Sequence, residues 1–186
     1  MTLGRAGSEL EIPVEDGALP AYLALPAAGQ GPGVLVLNEA LGLVVHVRDV
    51  CERLARAGFV ALAPDLCRGR SAESAQQAGE LMAGLEAEPV IRDLAGATQA
   101  LINEHAVDGA RIGAVGFCMG GHLALLAATA SPLVAAVVDF YGVAPGLPLD
   151  PTKLHAAVRA FFAENAEFVS SESVKALRAD FDAAGK

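Results

Sequence analysis

Several stretches of this chain are apolar without a polar break. GVLVLNEA (33–40) is continuously apolar through 34–37, and FVALAPDL (59–66) behaves the same way. RIGAV (111–115) and LVAAVVDFYG (133–142) are two more such runs. A strand with one wet face alternates apolar and polar residues. A strand buried on both faces does not. Between these runs lie segments whose apolar residues recur at helical spacing: 44–58, ending in Gly58; 71–84; 88–106; and 122–130. Strands that alternate with helices form a parallel sheet with helices on both faces. The expected class is therefore α/β, a three-layer sandwich around a mostly parallel central sheet.

The ends modify this picture. SELEIPV (8–14) alternates, and ALPAYLALP (18–26) follows a turn at Asp16-Gly17, so an antiparallel hairpin is expected at one sheet edge. AAVRAFFA (156–163) reads as a last strand. SSESVKALRADFDAAGK (170–186) reads as a capped helix, with Ser before Glu172 and apolar residues at 174, 177 and 181. The 186 residues, 53% hydrophobic, are expected to form one domain, 1–186, with one sizeable core.

The formal net charge of −9 argues against nucleic acid or an anionic membrane as partner, because both require a basic face. No apolar run reaches the roughly 18–20 residues that span a bilayer. The N-terminus lacks a basic region followed by an apolar stretch, so no secretory signal is read. Three cysteines, Cys51, Cys67 and Cys118, make an odd and sparse set, as expected of free thiols in the cytoplasm. No Cys/His cluster has zinc spacing, so neither a metal nor a cofactor is expected.

Ligands of open parallel sheets bind at the carboxyl ends of the strands. That selects Asn38-Glu39, Pro64-Asp65, Phe117-Cys118, Phe140-Tyr141 and 164–166. Among them, GFCMGG (116–121) fits the G-x-nucleophile-x-G elbow between a strand and a helix. The turn is so tight that side chains two residues before and after the nucleophile would strike the neighbouring backbone. Cys118 would sit above the sheet at a helix N-terminus, where the dipole favours thiolate. The amide of Met119 would face the place where a carbonyl oxygen gathers charge. Glu39 ends an apolar run, a costly position for a carboxylate unless it is paired or functional.

GFCMGG, the segment NEALGLVVHVRDVCERLARAGFVALAPDL (38–66) and DFYGVAPG (139–146) together resemble the dienelactone hydrolase family of α/β-hydrolases. The resemblance runs from about residue 9 to the last residue. It implies a Cys–His–Asp triad, a carboxylate beside the cysteine, and hydrolysis of a small-molecule ester or lactone through an acyl-enzyme. Carried over by position, Cys118 is the nucleophile, Glu39 the neighbouring carboxylate, and the amides of Met119 and Ala40 the oxyanion hole. Arg48, Arg68, Arg70 and Tyr141 are the candidate substrate-binding residues. Paired donors could hold a substrate carboxylate, and Arg48, in HVRDV, could equally orient the Glu39 loop.

Two family positions have no counterpart. The segment that resembles the acid-bearing one reads FFAENAEFVSS (161–171), and its aligned residue is Ala166, which cannot ionise. Glu167, one residue on, is the substitute if the backbone shifts. The family's His follows a further strand, and this chain reaches Lys186 about where the preceding helix ends. The C-terminal strand, His loop and final helix are therefore expected to be missing. The remaining imidazoles are His46, His105, His122 and His155. A base must come within about 3 Å of the proton it takes, and none of the four is expected to reach Cys118. The expected function is a dienelactone hydrolase-like activity, weak or absent in this chain. The alternative is a non-catalytic ligand-binding or thiol-sensing member of the same fold. The uncovered sheet edge predicts a homodimer there, or else reduced stability.

Overall fold

A computed structural model describes residues 7–144, 146–165 and 169–186. Among these residues, seven strands form one sheet in the order β1-β2-β4-β3-β5-β6-β7. β1 (Ser8–Val14) and β2 (Gly17–Ala24) make the N-terminal hairpin, paired from Ser8 with Leu23 to Val14 with Gly17. β2 joins β4 (Val60–Pro64) antiparallel. All remaining pairs are parallel: β4 with β3 (Gly33–Leu37), β3 with β5 (Ile112–Phe117), β5 with β6 (Val134–Phe140), and β6 with β7 (Ala157–Phe161). The expected α/β class and mostly parallel sheet are what the chain adopts.

The uninterrupted apolar runs have the expected cause. In β3, Leu35 and Leu37 face one layer and Val36 the other, and all three are at most 1% exposed. On one side α1 (Val45–Arg56) lays Val47, Cys51 and Ala55 against Val36, Ala61 and Ala63. Tyr22 on β2 donates its hydroxyl to Glu52 on α1 at 2.7 Å. On the other side lie α3 (Ala87–Ile102) and α4 (Met119–Ala130), which pack Leu94, Leu101, Leu123 and Leu126 against Leu35, Leu62 and Ala114. α4 is apolar all round and buried along almost its whole length, as a central helix must be.

One segment read as helix proves shorter and better defined. Helical spacing over 71–84 becomes α2 (Ala75–Ala83), because the Ser74 hydroxyl accepts from Gln77 N and starts the helix there. Conversely, α4 begins at Met119, three residues before the expected 122, because the elbow turns in a single residue.

The carboxyl-terminal side is thinner. β7 is an edge strand, open on both faces except at Val158. α5 (Ser171–Ala183) is capped by Ser170, whose hydroxyl accepts from Ser173 N, yet it has no buried residue. Its apolar positions Val174, Leu177 and Phe181 face a cavity of about 590 Å³ that reaches Leu125 on α4 and Asp139 on β6.

Sheet order fixes where a ligand can sit. From β3 the chain steps to β4 on one side and later to β5 on the other. The strand order reverses between β3 and β5, and the crevice lies at their carboxyl ends. Asn38-Glu39-Ala40 and Cys118 stand at those two ends.

Candidate active site

Cys118 occupies a backbone conformation that L-residues rarely take, with φ 54° and ψ −129°. Such a conformation costs about 1–3 kcal/mol and persists only when the surroundings fix it. Here the surroundings do so. Cys118 N donates to Phe140 O at 2.9 Å, and Gly121 N donates to Cys118 O at 2.9 Å. Gly116 and Gly120 are in such close approach that a Cβ on Gly116 would overlap the Gly120 carbonyl. A Cβ on Gly120 would overlap the Leu37 carbonyl at the end of β3. The two flanking glycines thus let the elbow press directly onto the neighbouring strand end, which brings Leu37 and Asn38 against Gly120.

The amides of Met119 and Ala40 have no acceptor among the described residues. Met119 opens α4, where the first N–H groups lack intrahelical partners and carry the positive end of the dipole. The side chain of Cys118 is partly exposed, whereas Cys51 and Cys67 are buried.

Glu39 pairs with His46, Oε1 to Nε2 at 3.4 Å, and His46 in turn meets Phe117 edge-on with ring centres 5.8 Å apart. Tyr141 also has a positive φ, 50°, and is 41% exposed; its amide donates to Phe161 O at 2.8 Å. Burial pushes the Tyr141 hydroxyl up, and the charges of Glu39 and Cys118 push it further. The three side chains therefore share one electrostatic neighbourhood, although they come from the ends of β3, β5 and β6.

The arginines are engaged by other protein groups. Arg48 donates to Glu9 Oε1 at 2.9 Å and to the Leu43 carbonyl, so it ties β1 to the segment after Glu39. Arg68 donates to both oxygens of Asp93 on α3, at 2.7 and 2.9 Å, and to Ala18 O at 2.7 Å. A ligand at Cys118 would have to displace those partners to use it. Arg70 Nε donates to Cys67 O at 3.2 Å, within its own turn. Ala166 and Glu167 lie outside the described residues.

The imidazoles divide similarly. His122, 6% exposed, bonds Leu147 O through Nε2 at 2.6 Å, and burial pushes its pKa down. His105 precedes Val107, which pairs with Gly31 ahead of β3, and His155 precedes β7. Both stand at the amino edge of the parallel strands, opposite Cys118. Only His46 joins the site, through Glu39.

Sequence reasoning did not single out Asp139. It is fully buried on β6; one oxygen accepts from Gly142 N at 2.7 Å, and the other has no partner among the described residues. Burial pushes its carboxyl up to about 6. The available signal was a lone acid inside VAAVVDF. Nor was the stack of Phe117, Phe140 and Phe161 foreseen, with centres 4.8 and 5.1 Å apart. Each ring closes its strand, and registered parallel strands align such endings.

A strained single-residue elbow between strand and helix, at the switch point of a mostly parallel sheet, is the arrangement of an α/β-hydrolase. The family model for the dienelactone hydrolase family matches residues 19–186, and the chain belongs to that family. A protein of Methylorubrum extorquens named "Putative carboxymethylenebutenolidase" is 36% identical over 168 residues, covering 84% of this chain and 58% of its own length. One of the same name from Synechocystis is 33% identical over 182 residues, covering 87% of this chain and 73% of its own. A crystal structure from Klebsiella pneumoniae of a protein called "Putative Dienelactone Hydrolase" superposes with a TM-score of 0.84 at 28% identity, over 96% of this chain and 81% of that one. The chain thus spans 58% of the length of the Methylorubrum relative. No helix among the described residues is long and apolar enough to cross a membrane.

Proposed function

We propose that this chain is a thiol-dependent ester or lactone hydrolase, with Cys118 as nucleophile. The observation that carries the reading is the strained Cys118 at the start of α4, with the Met119 and Ala40 amides lacking an acceptor among the described residues. The sulfur attacks the acyl carbonyl carbon, and the carbonyl oxygen takes up the electron pair. The N–H groups of Met119 and Ala40 stabilise that oxyanion. Collapse expels the alcohol and leaves a thioester on Cys118, which water then hydrolyses. Glu39 is the carboxylate suited to take the thiol proton, with His46 at 3.4 Å behind it. Tyr141 feels the charges of both groups, which supports their proximity. The relatives' names point to a lactone as substrate. Buried free thiols at Cys51 and Cys67 fit a reducing compartment, so a cytoplasmic location belongs to this reading.

The 186-residue chain performs the two half-reactions unequally. Thiols acylate readily because some thiolate is present at neutral pH. Deacylation needs a base to activate water, and among the described residues His46 is the only imidazole at the site, itself paired to Glu39. Triad members act as a unit, and losing them costs on the order of 10⁶ in turnover in a serine protease. With p-nitrophenyl acetate, a burst of about one equivalent followed by slow turnover is expected, with an acetyl adduct visible by mass spectrometry. Cys118→Ser should abolish the burst. A burst that survives the substitution, or its absence from the unsubstituted chain, would refute the reading and favour a ligand-binding or thiol-sensing role.

A further inference from the structure

Asn38 is the first residue after β3 and is completely buried. Its Nδ2 donates to the carbonyl of Glu39 at 3.0 Å and to Cys67 Sγ at 3.7 Å. Both amide hydrogens are thereby used. The same Glu39 carbonyl also accepts from Gly42 N at 3.1 Å, so both of its lone pairs are engaged. That carbonyl belongs to the peptide that carries the Ala40 N–H. The chain has no cis peptide among the described residues. In a planar trans peptide the C=O and N–H point in opposite directions. Clamping the Glu39 oxygen from one side therefore aims the Ala40 N–H to the other.

The orientation of the Asn38 amide follows from its surroundings. Flipping it would set two oxygens, Oδ1 and Glu39 O, against each other. In the observed orientation Oδ1 is buried with no partner among the described residues. An orphaned buried acceptor costs about 1–3 kcal/mol, and such a cost in a native fold calls for a reason. The reason lies in the other end of the side chain, which alone among the described residues' side chains bonds to the Glu39–Ala40 peptide.

We infer that Asn38 is a positioning residue for the oxyanion hole: its buried amide holds the Glu39–Ala40 peptide so that the Ala40 N–H meets the acyl oxygen at Cys118. The inference rests on the thiol-hydrolase reading given above. It adds a residue that touches neither substrate nor nucleophile.

Two reactions of the same sulfur separate this role from a merely structural one. Acylation by p-nitrophenyl acetate forms a sulfur–carbon bond to the acetyl carbon, passes through an oxyanion and releases p-nitrophenolate. Alkylation by iodoacetamide forms a sulfur–carbon bond and releases iodide, with no oxyanion. Removing one oxyanion donor outright costs about 10²–10³ in rate, so a donor left loose should cost roughly 10- to 100-fold. Asn38→Ala is expected to slow the acylation burst by that factor while iodoacetamide labels Cys118 at its unsubstituted rate. Acylation at an unchanged rate, or both reactions slowed together, would overturn the inference. If Asn38→Ala does not fold, Asn38→Asp, which keeps the shape and loses the donor, is read by the same pair of rates. Failure here with an intact burst in the unsubstituted chain leaves the hydrolase reading standing. Absence of that burst removes both.

Discussion

Cys51 and Cys67 are 0% and 1% exposed, and burial pushes both thiols up, Cys51 to about 12. Cys118 is partly exposed at the N-terminus of α4. Only the thiolate is nucleophilic, and only an accessible one reacts. Iodoacetamide should therefore add one label to the native chain, at Cys118, and three after denaturation, as peptide mass mapping would show. Labelling of Cys51 or Cys67 at a comparable rate would contradict the packing of Cys51 between α1 and the sheet and of Cys67 against Ala72 and Leu81. Local placements were legible in the sequence: the elbow at Cys118 between its glycines, and Glu39 just past its apolar run. The partners of Asn38, Arg68 and Asp139 were not. Arg68 meets Asp93, 25 positions away, because β4 inserts between β2 and β3. No periodicity in the sequence announces that order.

Elements were read correctly in kind wherever the pattern was strong, and their ends were set by particular atoms. Ser74 moves the start of α2, and the single-residue elbow moves the start of α4. α5 illustrates what a pattern cannot say. Its spacing at 174, 177 and 181 is amphipathic, and its Ser170 cap is in place, but Val174 and Leu177 face the 590 Å³ cavity, and of the three only Phe181 packs against the core. α4, by contrast, is buried from Met119 to Ala128. Helical stability comes mostly from packing. Backbone amides of α5 should accordingly exchange with deuterium at least about 100-fold faster than those of α4, through local opening. Equal protection of the two helices would mean that α5 is held by contacts the structure lacks.

For the molecule as a whole, the buried Asp139 links stability to pH. Its carboxyl is raised from 3.8 to about 6 because burial disfavours the charged form. The folded state therefore binds this proton more tightly than the unfolded chain does. The stabilisation is fully present below pH 4 and is lost as pH rises through about 6. A shift of that size corresponds to about 3 kcal/mol. Asp139→Asn keeps an oxygen for the Gly142 amide and removes the charge. Its denaturation midpoint should exceed that of the unsubstituted chain at pH 7.5, and the difference should shrink as pH falls toward 4. An identical pH profile for both would show that Asp139 is not ionised at the cost its burial implies.

The positions of the two tyrosines have an optical consequence. The chain has no tryptophan, so Tyr22 and Tyr141 are its only strong intrinsic fluorophores. Tyr22 is bonded to Glu52, and a carboxylate that accepts from a phenol quenches its emission. Tyr141 is exposed beside Cys118 and Glu39. Emission is therefore expected mainly from Tyr141, and if Cys118 is acylated as proposed, that emission should change without an added dye.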